Sequence, residues 1–459
     1  PAGRALPVAA VLAAAGAAHL VFAPAAPAVV LLVVDCLRAD RLAPSTMPEV
    51  ASLFADSTRF TQARSQSSWT RSAMPSLLSG RYPVEHGLYH TRPRPDRIRE
   101  GVPMLAEHFR DAGWLTAGFA EQPQLDAAFG FDRGFGHYRF RSGLAKKLNA
   151  RFLTWNAVFR TVPRFVFLHY VDVHGPYTPK KAFRPKRLPQ SELKTSTSRN
   201  WRAVIEGVRE GRIQLTEADT ARLAALYDGE VRQLDANLGD LLDALRADGT
   251  LDASWLVLTA DHGERFGEHG DLEHMRTPDE VVLAVPLLVR PPGGGPAREV
   301  VEIVQHVDVA PTLLALAGIA RPPDLPGRDL TPALAGEALA PTVAFAEEWA
   351  GKVHRAAVRE GDWKLVRDPE PRLFDLDADP GETRDLAAER PDVVARLEGQ
   401  LAAYFAAGAR GEPIARVDWE AAARSGERWT PTRRGEGAAP EVDDETMEAL
   451  EALGYLEDE

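Results

Sequence analysis

Three stretches of the chain share one pattern, an apolar run closed by a polar cluster. Val29 to Val34, VVLLVV, is unbroken and β-branched and ends at Asp35. Such a run predicts a strand buried on both faces, as in the middle of a parallel sheet. RFVFLHYVDVH, from Arg164 to His174, and WLVLTADHGE, from Trp255 to Glu264, repeat the pattern. Helical periodicity lies between them, clearest over 218–247, where Leu223, Tyr227, Val231, Leu234, Leu238, Leu241 and Leu245 recur at three- and four-residue steps. Strands alternating with helices predict an α/β fold: a doubly wound, mostly parallel sheet sandwiched by helices, with ligands beyond the carboxyl ends of the strands. After about residue 320 the texture changes. RPPDLPGRDL reads as a loop, VHRAAVREGDWKLVRD and RLFDLDADP as short antiparallel strands, and PDVVARLEGQLAAYFAA as an amphipathic helix. That succession predicts a smaller C-terminal α+β subdomain.

The ends have a different character. Residues 5–23, ALPVAAVLAAAGAAHLVFA, are apolar and Ala-rich and are followed by PAAPA, a small-residue stretch suited to cleavage. This reads as a signal-peptide core or a short membrane anchor, with a plain Ala-rich packing helix as the alternative. The first reading implies export to the periplasm, the cell envelope or the exterior, with membrane attachment at the N-terminus if the segment is kept. Near the other end RSGERWTPTRRGEGAAPEVDDE is polar and Gly/Pro-rich and reads as a linker, and TMEALEALGYLEDE regains helical spacing. The expected division is 1–28 as signal peptide or anchor, 29–320 as the main domain, 321–410 as the α+β subdomain and 411–459 as linker and terminal helix.

Composition narrows the class. The 459 residues are 45% hydrophobic and 26% charged, which excludes a disordered, collagen-like or polytopic membrane chain. The net charge of −12 argues against a nucleic-acid binder. A single cysteine, Cys36, leaves no intramolecular disulfide and no cysteine-cluster metal site. Any metal is therefore held mainly by Asp, Glu, His or hydroxyl oxygen.

Candidate chemistry collects at the strand ends. Asp35, His174, Asp261 and His262 all follow apolar runs, and strand carboxyl ends in such a sheet share one rim, so these groups can converge on one cation. Each alone is equally well a helix cap or loop residue. Together they favour a site. The segment SQSSWTRSAMPSLLSGRYPVEHG adds hydroxyls at the start of a helical stretch. A hydroxyl there, beside a divalent cation, is the arrangement that makes an alkoxide nucleophile available. Thr70 is the best placed, although composition alone does not separate it from Ser67, Ser68 or Ser72.

These segments, in this order and spacing, resemble the sulfatases of the alkaline phosphatase superfamily from about Val29 to the C-terminal LGYL. VVLLVVDCLRADRL resembles the family's first strand with its metal aspartate, and SSWTRSAMPSLLSGRYPVEHG its nucleophile segment. HYVDVHGPYTP resembles the substrate-histidine stretch, TADHGERFGEHG the second metal stretch, and VDVAPTLLALAGI and GDWKLVRDPEPRLFDLDADPGETRDLA later landmarks. The resemblance implies that Asp35, Asp261, His262 and the nucleophile Thr70 coordinate one metal. It implies that His174 and His269 touch the ester oxygens or protonate the leaving group, and that Arg71 and His169 bind the substrate.

The departures from the family pattern are informative. The usual Cys or Ser nucleophile is oxidised to formylglycine, whereas Thr70 cannot give the same aldehyde, and Ser72 and Met74 replace the Pro and Arg of the modification signal. Formylglycine is not expected. Cys36 stands where typical members carry a second metal aspartate; it reads either as a thiolate ligand or as a small hydrophobe beside the strand. With one carboxylate fewer and a histidine where an amide is common, the expected ion shifts towards Mn²⁺ or Zn²⁺, with Mg²⁺ and Ca²⁺ still open. A plain threonine ester must be released by a second displacement, which leans the expected substrate, a small anionic ester, from sulfate towards phosphate mono- or diesters. The competing readings are a membrane-associated transferase of phosphoryl head groups between lipid and envelope glycan, and a non-catalytic binding module. Finally, Lys180, Lys181, Arg184, Lys186 and Arg187 open an insertion after His174 that reads as a solvated loop or as a lid attracting an anionic substrate or membrane surface. Oligomeric state has no signature in the sequence.

Overall fold

A computed structural model of the chain describes residues 23–88, 97–141, 143–350, 353–412, 414–425, 442–444 and 446–447. Most of the N-terminal apolar stretch, of the C-terminal linker and of the terminal helical spacing lies outside these residues. At the centre is β1 (Ala28–Val34), buried along its whole length. Its β-branched run cannot hydrate, and it has strands on both sides: β5 (Arg164–Tyr170) and β6 (Ser254–Ala260), each parallel to it. The large sheet also takes in β2 (Thr58–Arg64), β3 (Leu115–Ala120), β4 (His137–Phe140), β9 (Ala284–Arg290), β10 (Arg298–Val300) and β11 (Val304–Gln305). Its order is β10-β2-β9-β6-β1-β5-β3-β4, with β11 also on β2. Only β9 runs against its neighbours, so the mostly parallel, helix-covered sheet expected from the sequence is present.

Register sets the site. Val34 of β1 stands opposite Tyr170 of β5 and Ala260 of β6, so the residues that follow, Asp35, Val171 and Asp261, leave the sheet abreast. The apolar run from Arg164 forms a strand as far as Tyr170, and the turn beyond it, closed by His174 N–H to Val171 O at 3.1 Å, carries His174. Helix α1 (Thr70–Ser79) follows β2, and α2 (Leu105–Asp111) precedes β3. The periodic stretch over 218–247 forms a single helix, α5 (Glu217–Ala247), which packs with α3 (Ala145–Phe159). Helix α4 (Ser198–Arg209) lies in the insertion, and α6 (His306–Leu316) packs on α1. Behind Asp261 a small hairpin pairs β7 (Arg265–Phe266) with β8 (Leu272–Glu273).

The change of texture after residue 320 marks a second, antiparallel sheet. It runs β12 (Val343–Ala350), β13 (Val353–Glu360), β14 (Trp363–Asp368), β15 (Glu370–Asp375), and helix α7 (Pro391–Arg410) covers it. Its apolar centre joins Phe345, Val358, Leu365 and Leu373 to Leu397, Leu401 and Tyr404 of α7. Among the described residues no helix is long and apolar enough to cross a membrane.

Candidate active site

Thr70 is the first residue of α1, with Trp69 in the capping position ahead of it. Its hydroxyl therefore is not spent on capping: Oγ1 lies 3.3 Å from His262 Nε2. His262 Nδ1 sits 2.9 Å from the carbonyl of Gly263, which can only accept, so Nδ1 carries the proton and Nε2 turns its lone pair to Thr70. Ser67, Ser68 and Ser72 are buried nearby, but Thr70 is the hydroxyl that reaches an imidazole of the site.

Asp35, Asp261 and His262 come together as the strand-end reading expected. His262 Nε2 is 3.4 Å from Asp261 Oδ2 and 3.8 Å from Asp35 Oδ1, and all three side chains are fully buried. His169 joins them. It lies inside β5 rather than on a turn, with Nε2 3.9 Å from Asp261 Oδ2. Burial alone would raise the Asp261 carboxyl, but His262, His169 and Thr70 hold it well below the usual carboxylate range. Gln122, which no sequence pattern marked, donates from Nε2 to Asp35 Oδ2 at 2.7 Å.

This set fits a divalent cation. Asp35, His169 and Asp261 present ligand atoms within 4.8 Å of one another. Asp261 Oδ2 and both nitrogens of His169 are buried without a hydrogen-bond partner among the described residues, and such atoms are costly unless something binds them.

His174 is at the rim, its Nδ1 2.8 Å from Gly175 O. Burial depresses its basicity, but the carboxylates of Asp35, Glu264 and Glu273 more than offset this and raise its pKa above the ordinary histidine value. Arg71 is buried rather than solvated, with its guanidinium 4.1 Å from the ring centre of Phe129.

His269 is the exception. It is exposed, on the turn Glu268–Gly270 at the tip of the β7–β8 hairpin, and its ring nitrogen stands with Asp279 and Glu382. The hairpin register explains this. Arg265 pairs with Glu273 and Phe266 with Leu272, so residue 269 is the far point of the turn and residue 274 returns beside residue 264. His274 therefore occupies the rim, its ring 4.3 Å from that of His262 and 5.2 Å from that of His174, with Nδ1 3.3 Å from Glu264 Oε1. A loop of unusual backbone holds it there. Glu273, Met275 and Arg276 have φ of 66°, 70° and 73°, and Arg265 pins the segment through the carbonyls of Glu273 and Met275. Positive φ in three non-glycine residues is a cost kept only where the surroundings impose it. Burial, with His262 and His174 close by, drives the His274 pKa well below its usual value.

The chain is similar to known proteins. A family model described as Sulfatase matches residues 27–319, and one described as N-sulphoglucosamine sulphohydrolase, C-terminal, matches residues 267–406. Arylsulfatase K of Mus musculus is 32% identical over 210 residues, 41% of this chain. The chain aligns with only 36% of that relative's length. Among solved structures, the phosphonate monoester hydrolase of Silicibacter pomeroyi matches at a TM-score of 0.68 and 21% identity, covering 85% of this chain and 96% of that one. A structure bound to its substrate D-glucosamine-2-N,6-O-disulfate matches at 0.69 and 18% identity, covering 85% and 100%. At those identities the likeness is one of fold.

Proposed function

Because the chain belongs to the sulfatase family, we propose that it is a metal-dependent hydrolase of sulfuric or phosphoric esters in which unmodified Thr70 is the nucleophile. The observation that carries this reading is the Thr70 hydroxyl at the start of α1, 3.3 Å from His262 Nε2 and beside a buried set of Asp35, His169 and Asp261. Asp35, Asp261, His262 and Thr70 would hold the ion, with His169 as a further ligand. A divalent cation bound there supplies positive charge to the ester oxygens and favours ionisation of the hydroxyl. The mixed oxygen and nitrogen donors favour Mn²⁺ or Zn²⁺ over Ca²⁺.

Thr70 loses its hydroxyl proton to solvent, Oγ1 attacks phosphorus or sulfur, and the bond to the leaving alcohol breaks. His174 is the acid for that alcohol. Its Nδ1 proton is committed to Gly175 O, and the surrounding carboxylates favour a second proton on Nε2. Arg71, fixed over Phe129, supplies positive charge near the nucleophile. In place of His269 we assign His274 to the substrate side, since it shares the rim with His174 and His262. The ester left on Thr70 is cleaved by water in a second displacement, which suits phosphorus better than sulfur. Phosphate mono- or diesters are therefore the favoured substrates. The transferase reading has no supporting observation among the described residues.

The test is a panel of aryl sulfate, phosphate monoester, phosphodiester and phosphonate monoester, each with Mn²⁺, Zn²⁺, Mg²⁺ and Ca²⁺. Faster turnover of the phosphorus esters supports the assignment. Comparable rates on an aryl sulfate and its phosphate analogue remove the preference, and no turnover with any metal overturns the hydrolase.

A further inference from the structure

The rim holds a second set of ligand atoms, in which Cys36 has no part in the proposed mechanism. Cys36, His262 and His274 bring a sulfur and two imidazole nitrogens within 4.8 Å of one another, and the set shares no residue with Asp35, His169 and Asp261. We propose that these three residues form a second, softer cation position beside the oxygen-rich one, and that it takes a zinc-like ion. This rests on the reading of the rim as a metal-dependent ester site and extends it from one ion to two.

Three observations carry the proposal. The first is spacing. Cys36 Sγ and His274 Nδ1 are 3.5 Å apart. Tetrahedral zinc with bonds of about 2.3 Å to sulfur and about 2.0–2.1 Å to nitrogen separates those two ligands by about 3.5–3.6 Å. Asp35 Oδ1, 3.1 Å from the thiol, faces both positions and is placed to bridge them.

The second is backbone conformation. Cys36 has φ of 62°, a left-handed conformation that a side-chain-bearing residue adopts at a cost. It is imposed from two elements: Tyr227 of α5 donates to Cys36 O at 2.7 Å, and Asp261 Oδ1 accepts from Cys36 N at 3.2 Å. A cysteine serving only as a small hydrophobe at the end of β1 would not need that turn, which directs its thiol onto Asp35 and His274. His274 is presented by its own strained segment, flanked by Glu273 and Met275 at positive φ. The two sulfur and nitrogen donors are thus each aimed by unusual backbone.

The third is environment. Cys36, His262 and His274 are all fully or almost fully buried, so water does not compete for them, and the ring nitrogen His262 turns inward is the lone-pair nitrogen. In the two-ion arrangement His262 moves from the first position to the soft one, and His169 takes its place beside Asp35, Asp261 and Thr70. Thiolate and imidazole select zinc-like ions over Mg²⁺ and Ca²⁺. Binding ionises the thiol, and its proton passes to solvent.

The experiment is metal counting on the full chain, stripped with chelator and reloaded with Zn²⁺ or Co²⁺. Wild type is expected to hold two zinc ions per chain, and Cys36→Ala and His274→Ala one each. The cobalt-loaded wild type is expected to show the near-ultraviolet sulfur-to-cobalt charge-transfer band, absent from cobalt-loaded Cys36→Ala. The band needs no variant to be seen, so together with a count of two ions in wild type it decides the matter even if a substitution fails to fold. One ion per chain and no sulfur band overturn the second position and leave the proposed function standing. No bound ion of any kind overturns both.

Discussion

Two groups of charge, one at the rim and one at the junction with the antiparallel sheet, are built on opposite plans. At the rim, Asp35 and Asp261 face imidazoles: His262 at 3.8 and 3.4 Å, and His169 at 3.9 Å. At the junction with the antiparallel sheet, Glu280 faces full cations instead. It pairs with Arg64 of β2, with Arg359 of β13 at 2.5 Å and with Lys364 of β14 at 3.2 Å. Lys364 also reaches Glu382 at 2.8 Å, and Arg265 reaches Asp279 at 2.8 Å. Burial would raise the Glu280 carboxyl, but Arg64, Lys364 and Arg359 pull it down to about 2. A buried carboxylate with guanidinium and ammonium partners has its charge answered inside the protein. One that faces weakly basic rings has room for an external cation. The difference separates a structural joint from the proposed binding site.

The largest expected effect falls at the rim. Thr70→Ala should lower kcat/KM by about 10³-fold or more, as loss of a nucleophile does, with no change in thermal midpoint. A variant that keeps its rate to within about tenfold removes Thr70 from the nucleophile position. The junction should respond the other way. Glu280→Gln removes the shared anion of Arg64 and Arg359 and leaves Lys364 to Glu382 alone, and should cost about 3–5 kcal/mol in denaturant unfolding, with kcat per folded molecule unchanged. Should turnover fall while stability holds, the junction is not a mere joint.

A smaller effect tests whether the rim awaits a cation. Mn²⁺ or Zn²⁺ at about a hundred times its dissociation constant should stabilise the chelator-stripped protein by about 2.7 kcal/mol. The same increment should appear in Glu280→Gln, since the two groups share no ligand. Absence of any increment in wild type would erase the contrast between the regions.

The smallest effect concerns a carboxyl that belongs to neither plan. Glu230 of α5 accepts from Thr178 N at 2.6 Å, and burial, with Asp172 nearby, pushes it from its ordinary 4.5 up to about 9. The folded chain keeps a proton that the unfolded chain loses above about 4.5, so this group erodes stability as pH climbs from there towards 9. Glu230→Gln should flatten that decline and be more stable than wild type by on the order of 1–3 kcal/mol at pH 8, with no difference near pH 4. Melting curves across that range decide it. Parallel slopes for the two proteins would show that Glu230 ionises normally in the fold.

Much of this molecule is legible in its residues. The uninterrupted run of β1 could only be a doubly covered strand, since nothing in VVLLVV tolerates water. The periodicity over 218–247 placed α5 to within one residue. Asp35, Asp261 and His262 were readable as a group because they follow apolar runs directly, where a short turn leaves little freedom. His269 and His274 were not separable in the same way. Both lie in a polar stretch without periodicity, and which one reaches the rim depends on where the hairpin turns.

That division has one physical cause. Burial of β-branched and periodic side chains is encoded locally, so the residues alone determined the central strands, the long helix and the meeting of Asp35, Asp261 and His262 at the strand ends. Whether a charge there is answered or left open depends on partners brought in from elsewhere in the chain, 216 residues away in the case of Arg64 and Glu280. Tyr227 bending Cys36, Arg265 pinning the His274 loop and Arg64, Arg359 and Lys364 closing around Glu280 are meetings that only the tertiary structure could decide.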